Sequence, residues 1–195
     1  MPLSFGHLVA AILLAAIWLA WLAYWTISAR NVKPTQRHEP LASRVGHLLP
    51  LLVAALLLGG PEPPIRWLGQ RWLPVSGVWA WAGVAITAVG LVLTGWARTA
   101  LGANWSGTVT VKRDHELVLA GPYRHVRHPI YSGLLLAFAG TALAGGEWRG
   151  LVALLLAWLA LWRKWRVEER FMRETFGTAY SEYAARTPAV IPRIS

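Results

Sequence analysis

The chain alternates long apolar runs with short polar stretches that carry nearly all of its charge. Residues 5–27 are apolar and uncharged, about the 20 residues that a helix needs to cross a bilayer core. The run lacks a basic start and ends in bulky WLAYW, which predicts a retained anchor and not a cleaved signal peptide. Residues 30–44 are polar, with Pro34 and Pro40 breaking any helix. Residues 45–60 form a shorter run carrying His47 and Pro50. Its length lies between a tilted span and a re-entrant segment, and it is taken as the second span. In residues 61–74, Trp67 and Trp72 alternate with Arg66 and Arg71, as in a segment lying at the headgroups. Residues 75–97 are the third span, with Gly83, Gly90 and Gly95 expected to permit close helix approach. Residues 130–146 and 151–162 predict a helical hairpin closed by GGEWRG. Its second helix can continue past Trp162, with Arg163, Lys164 and Arg166 snorkelling at the interface.

Composition agrees with this pattern. The 195 residues are 55% hydrophobic and only 14% charged, with 13 Trp and a mean hydropathy of +0.42, a combination that soluble domains seldom show. The fold class expected is all-α: a polytopic integral membrane bundle of about five transmembrane helices. The absence of Cys excludes disulfides, thiolate metal sites and a cysteine nucleophile. A net charge of +10 would suit nucleic acid, but its distribution argues otherwise. Five spans place sixteen of the 19 basic residues on one side and leave only Arg66, Arg71 and Arg149 on the other. The positive-inside rule then puts the amino terminus outside and the carboxyl tail in the cytosol. The central polar segment, residues 100–127, shares that side with the tail, so the two can build one site.

The polar centre of the chain is HELVLAGPYRHVRHPIYSG, residues 115–133. Pro129 fixes its own φ and drives His128 towards an extended backbone, so a helix begins there with proline in its first turn. Ionisable groups at membrane helix ends tend to serve a cavity or a partner, which singles out His128, Glu168 and Glu169. An equally good account of the two glutamates is charge balance with Arg163, Lys164, Arg166 and Arg170 along a solvated helix face. His115, His125 and His128 invite a metal, yet Pro129 interrupts the helix and Arg124 and Arg127 would repel a cation, so no metal is expected. Ser132 has no nucleophile-elbow context. Taken singly, His128–Pro129 also suits a capping device, and Tyr123 and Tyr131 suit an interfacial aromatic belt.

Two motifs in order change the balance. The pattern G-x-Y-x-x-x-R-H-P-x-Y-x-G is present as Gly121, Tyr123, Arg127, His128, Pro129, Tyr131 and Gly133. The tail follows with Glu168 and Glu169, Phe176, Gly177, Tyr180, Tyr183, Arg186, Pro188 and Pro192. Over residues 101–194 the chain resembles the isoprenylcysteine carboxyl methyltransferase family, membrane enzymes related to phospholipid methyltransferases. The resemblance implies methyl transfer from S-adenosylmethionine at the cytosolic face to a hydrophobic or lipid-like acceptor in the bilayer. It further implies cofactor contacts from His115, Glu116, Leu117 and Val118, from Tyr123, and from His128, Pro129, Ile130 and Tyr131. Glu168 matches the acid that meets the cofactor's ammonium. The family's substrate-orienting arginine falls on Lys164, which keeps the charge but loses the planar two-donor fork. A glutamine of the family's cofactor site falls on Thr108.

This division makes residues 1–100 variable helices and residues 101–195 the methyltransferase core. Four functions stay open: carboxyl O-methylation of a prenylated or lipid-like acceptor, methylation of a phospholipid or small hydrophobic amine, an NADPH-dependent sterol-reductase-like activity, and a non-catalytic membrane binding protein. Oligomeric state is not legible.

Overall fold

The computed structural model describes residues 5–30, 32–107, 110–112 and 116–192. Among these, α1 (Phe5–Ser28), α2 (Leu41–Gly59) and α3 (Gly77–Leu101) are long, apolar helices. They are followed by α4 (Pro129–Gly145), α5 (Trp148–Phe176) and α6 (Thr178–Arg186). Among the described residues, three helices have the length and composition to cross a membrane, and α4 is a shorter apolar helix. The second apolar run is longer than expected, because α2 begins at Leu41, directly after Pro40. Pro50 is accommodated inside it. The fifth element also extends: α5 runs on past Trp162 for a further fourteen residues as a charged helix.

The polar segments are not wholly irregular. Strands β1 (Thr35–His38) and β2 (Thr110–Lys112) pair antiparallel, a departure from the purely helical expectation. Each lies where prolines or polar residues end a helix, and pairing gives backbone groups partners that a helix would otherwise supply. Residues 61–74 form no span, and contain one 3-10 turn at Arg66–Gly69.

The tightest packing joins α3 to α4. A Cβ on Gly90 would lie 2.5 Å from the Gly133 carbonyl oxygen, and one on Gly140 would lie 2.6 Å from the Thr87 nitrogen. Small residues on both helices thus bring backbone against backbone. Gly83 belongs to this seam, facing Gly140 and Ala144, but Gly95 has nothing within 4 Å and takes no part in close packing. Thr87 adds hydrogen bonds to the Ala137 carbonyl (3.3 Å) and to Thr141 (3.2 Å). On the other flank, Ala54 of α2 is buried with Ala153 and Ala157 of α5. Gly46 leaves room for the Arg163 side chain, whose Nε would be 2.7 Å from an added Cβ. The hairpin turn between α4 and α5 uses Gly146 at φ +63°, a left-handed conformation that glycine adopts without strain.

Candidate functional site

Pro129 occupies the first turn of α4, and His128 precedes it with φ −125° and ψ 60°. Its carbonyl accepts the backbone N–H groups of Tyr131 (2.9 Å) and Ser132 (3.1 Å). The imidazole makes no capping bond, so capping does not account for this side chain. It points instead at the charged extension of α5. His128 Nε2 lies 3.3 Å from Glu169 Oε1, and Nδ1 lies 3.6 Å from Glu168 Oε2. The Tyr131 hydroxyl donates to Glu168 Oε1 at 2.5 Å, and the Tyr131 ring stacks on the imidazole at 5.3 Å.

A second layer holds Glu169. Arg127 donates to its Oε1 from Nε (2.9 Å) and Nη2 (2.5 Å), while Arg173 donates to its Oε2 at 3.0 Å. The remaining terminal nitrogen of Arg127 donates to the Ala184 carbonyl at 3.0 Å and also to that of Thr187. The tail then runs beside this turn. Pro188 and Ala189 carbonyls accept the backbone N–H groups of Arg127 (2.9 Å) and His128 (2.8 Å), and Val190 accepts the Ser132 hydroxyl at 2.5 Å. Lys164, 8% exposed, donates to the Gly107 carbonyl at 3.0 Å and lies 5.4 Å from the centre of the Tyr131 ring.

These contacts set the charges. Burial alone would lower the His128 pKa, but hydrogen bonds and charge from Glu168 and Glu169 outweigh it and hold the value above the ordinary one. Burial would raise both carboxyls. Hydrogen bonding to His128 and the nearby Lys164 charge keep Glu168 below the usual range, whereas His128 and Arg127 bring Glu169 to about 2. All three shifts favour the charged forms, two carboxylates and a protonated imidazole between them. Burial raises the hydroxyls of Tyr123 and Tyr183, the latter to about 12, so both remain neutral.

A cavity of about 230 Å³ opens beside this ionic end. Of the residues singled out in the sequence, Glu116, Leu117, Val118, Tyr123, His128, Ile130, Tyr131, Lys164 and Glu168 all line it. Pro129 does not: it is buried at the helix start and borders another cavity. His115 and Thr108 lie outside the described residues. Tyr123 and Tyr131 are buried, which sets the aromatic-belt account aside. Both accounts of the glutamates hold in part, since Glu169 pairs with Arg173 one turn on while also meeting His128 and Arg127.

The structure adds residues that no sequence spacing indicated. Trp21 and Trp25 of α1 and Leu51 of α2 enter the cavity wall, although they precede the motif by more than sixty residues. Trp25 meets Trp105 edge to face at 5.4 Å, and the Arg98 guanidinium covers Trp105 at 4.5 Å. From the other end, Phe171 and Met172 contribute beside Tyr180 and Tyr183, which the tail motif had already singled out, the Tyr183 hydroxyl donating to the Tyr123 carbonyl at 2.6 Å. Aromatic rings and clustered aliphatic groups thus line one part, and carboxylate, imidazole and ammonium groups another.

Helices of membrane length around an ionic cavity define a helical membrane protein with its site at one end of the bundle. The chain belongs to the phospholipid methyltransferase family, whose model matches residues 78–179, just over half of the sequence. It is 32% identical over 126 residues to the protein-S-isoprenylcysteine O-methyltransferase of Schizosaccharomyces pombe, covering 62% of this chain and 52% of that protein. It is 30% identical over 146 residues to the cobalt-zinc-cadmium resistance protein CzcN of Cupriavidus metallidurans, covering 74% of this chain and 60% of the relative. The chain thus spans little more than half the length of these curated relatives. In fold it is similar to the solved eukaryotic intramembrane Ras methyltransferase, an isoprenylcysteine carboxyl methyltransferase. The TM-score is 0.52 at 24% identity, covering 78% of this chain and 52% of that one.

Proposed function

We propose that this chain is an S-adenosylmethionine-dependent methyltransferase acting on a lipid-like acceptor, and that the cavity beside His128 and Glu168 is its cofactor site. The observation that carries the proposal is the joining of Glu168, His128 and Tyr131 at the ionic end of a cavity walled by aromatic and aliphatic side chains. The donor set fits the cofactor's chemistry. Glu168 is a carboxylate suited to the methionine ammonium, and the aromatic and aliphatic wall suits an adenine face. When bound, the cofactor supplies an electrophilic methyl group on a sulfonium. The protein's task is then to align an acceptor and exclude water, since a displaced thioether needs no proton. His128 lies between the two glutamates, and the upward direction of its pKa favours a part in fixing Glu168 over proton abstraction.

Lys164 favours an anionic acceptor. Its ammonium lies inside the cavity wall, anchored to Gly107, where it would attract a carboxylate and repel the ammonium of an amine acceptor. Carboxyl O-methylation is accordingly the form of the reaction that the charges support, and methyl transfer to a phospholipid amine is the form they oppose. The curated relatives named as isoprenylcysteine O-methyltransferases agree with that choice. Five spans, with the amino terminus outside and the ionic end of the bundle in the cytosol, account for the sorting of basic residues between alternate segments. The core of the activity is assigned to residues 101–195, with Trp21, Trp25 and Leu51 completing the wall.

Equilibrium binding to the purified chain tests the proposal. Saturable S-adenosylmethionine binding is expected, with no NADPH binding, and both His128→Ala and Glu168→Ala are expected to weaken it at least tenfold, the loss of about 1.4 kcal/mol. Binding of NADPH instead would transfer the site to a reductase-like activity.

A further inference from the structure

A second cavity of about 560 Å³ shares no lining residue with the first. Its walls are Leu93 and Trp96 of α3, Leu136 of α4, Trp158 of α5, and Val190 and Ile191 of the tail. Trp96, Leu136, Trp158 and Ile191 are exposed, so this is a lateral groove and not an enclosed void. Its depth is set by α3 and α4, because Leu93 and Trp96 lie in the last turns before Leu101 and Leu136 lies in the second turn after His128. The groove therefore opens on the leaflet at the ionic end of the bundle. At its mouth His125 is a lining residue, and the exposed Arg124, last residue of the 3-10 turn Gly121–Arg124, directly precedes it and brings a positive charge to that edge.

The tail gives the groove a connection inward. Val190, which forms part of the groove, accepts the Ser132 hydroxyl, and the preceding Ala189 carbonyl accepts the His128 backbone N–H at 2.8 Å. This bent strap thus has an apolar face towards the groove and backbone acceptors towards the site. We propose that the groove binds one anionic phospholipid of the surrounding leaflet, its headgroup held by Arg124 and His125 and its chain bracing the strap that positions His128. The complementarity is of charge at the mouth and of hydrocarbon along the wall. The coupling to the site rests on the methyltransferase proposal above; the lipid site itself does not.

Native mass spectrometry of the detergent-purified chain, with phosphatidylglycerol beside phosphatidylcholine, tests the lipid site. One retained phosphatidylglycerol is expected, preferred over phosphatidylcholine by about fivefold for the charge of Arg124. The double variant Arg124→Ser, His125→Gln is expected to keep the groove and lose the preference. Leu136→Trp, which fills the groove, is expected to remove retention of either lipid. Equal retention of the two lipids, or a preference that survives the double variant, overturns the site. In nanodiscs, phosphatidylglycerol is expected to tighten S-adenosylmethionine binding severalfold in the unmodified chain but not in the double variant. Unchanged affinity overturns the brace. A chain that bound no S-adenosylmethionine in any lipid would defeat the methyltransferase proposal while leaving the lipid counts to decide this one.

Discussion

Helices α3 and α4 meet backbone to backbone, whereas α1 meets its neighbours through side chains, with indole rings tying it in and Ala10 set against Ala80 and Val84. Nine residues of α3 are buried against a single one, Ala10, of α1. Glycine and threonine on α3 and α4 remove the side chains that would separate the two axes. On α1, Trp18 donates to Thr141 at 3.1 Å and Trp21 to Thr94 at 2.7 Å, so it is pinned to the finished seam from outside. The Arg98 guanidinium adds a third tie, donating to the carbonyls of Ser28 and Gly102. Geometry near the ionic site is thus set by groups that cannot move, and the first helix is added by groups that tolerate change. The family match beginning at residue 78 falls on the rigid half.

The sharpest way to break this contrast is Glu169→Ala. It leaves Arg127 and His128 buried without their shared carboxylate, a loss of about 3–5 kcal/mol. Chemical denaturation in detergent is the measurement, and an effect below that of any α1 variant would reverse the comparison. The same pair makes the rigid half pH-sensitive. With its pKa lowered from 4.5 to about 2, Glu169 contributes stability above the ordinary value that is lost as pH falls through about 2. With its pKa raised above 6.5, His128 contributes stability below 6.5 that is lost as pH rises through the raised value. Melting temperature is therefore expected to be highest between the two and to fall on both sides, and Glu169→Gln should flatten the profile.

Next in size is the seam. Gly133→Leu forces a side chain against the Gly90 carbonyl and Thr94, an overpacking cost of about 3 kcal/mol. Gly95→Ala on the same helix meets nothing within 4 Å and is expected to be neutral or stabilising by about 0.5–1 kcal/mol. Equal effects at the two glycines would show that backbone proximity does not govern α3. On the first helix, Trp18→Phe keeps an aromatic group but removes the indole N–H that bonds Thr141, a loss of about 1 kcal/mol. S-adenosylmethionine affinity should stay within about twofold after it, because Trp18 does not line the cavity.

Much of this was visible in the sequence where local chemistry decides structure. Pro129 announced the start of α4, and the apolar run from residue 5 announced α1 almost to the residue. Glu168 was legible as a partner for the His128 turn through the order and spacing of two motifs. Gly83 and Gly90 were expected at a close approach, but Gly95 was wrongly included, because helical spacing does not tell which glycine faces the neighbouring helix. The pairing of Arg127 with Glu169 was not visible either, since both read equally well as solvated charges until α5 was placed against the turn. In the sequence, His47 is only a polar residue carried by the second apolar run. In the fold it is fully buried, 3.5 Å from the Glu39 carboxylate two residues before α2. The two tryptophans of α1 in the cavity wall depend on which side of α3 that helix occupies.

The strap formed by residues 188–190 has a consequence for biosynthesis. Arg127 and His128 leave the ribosome about sixty residues before the carbonyls that receive them. At ordinary synthesis rates that is a delay of roughly three to twelve seconds. Throughout it the hairpin can insert, yet the Arg127 guanidinium lacks two of its acceptors and the His128 amide lacks its own. The nascent turn must therefore wait in water at the membrane surface. The order of manufacture puts the seam first and the ionic centre last, so a stalled chain would be inserted but without its site.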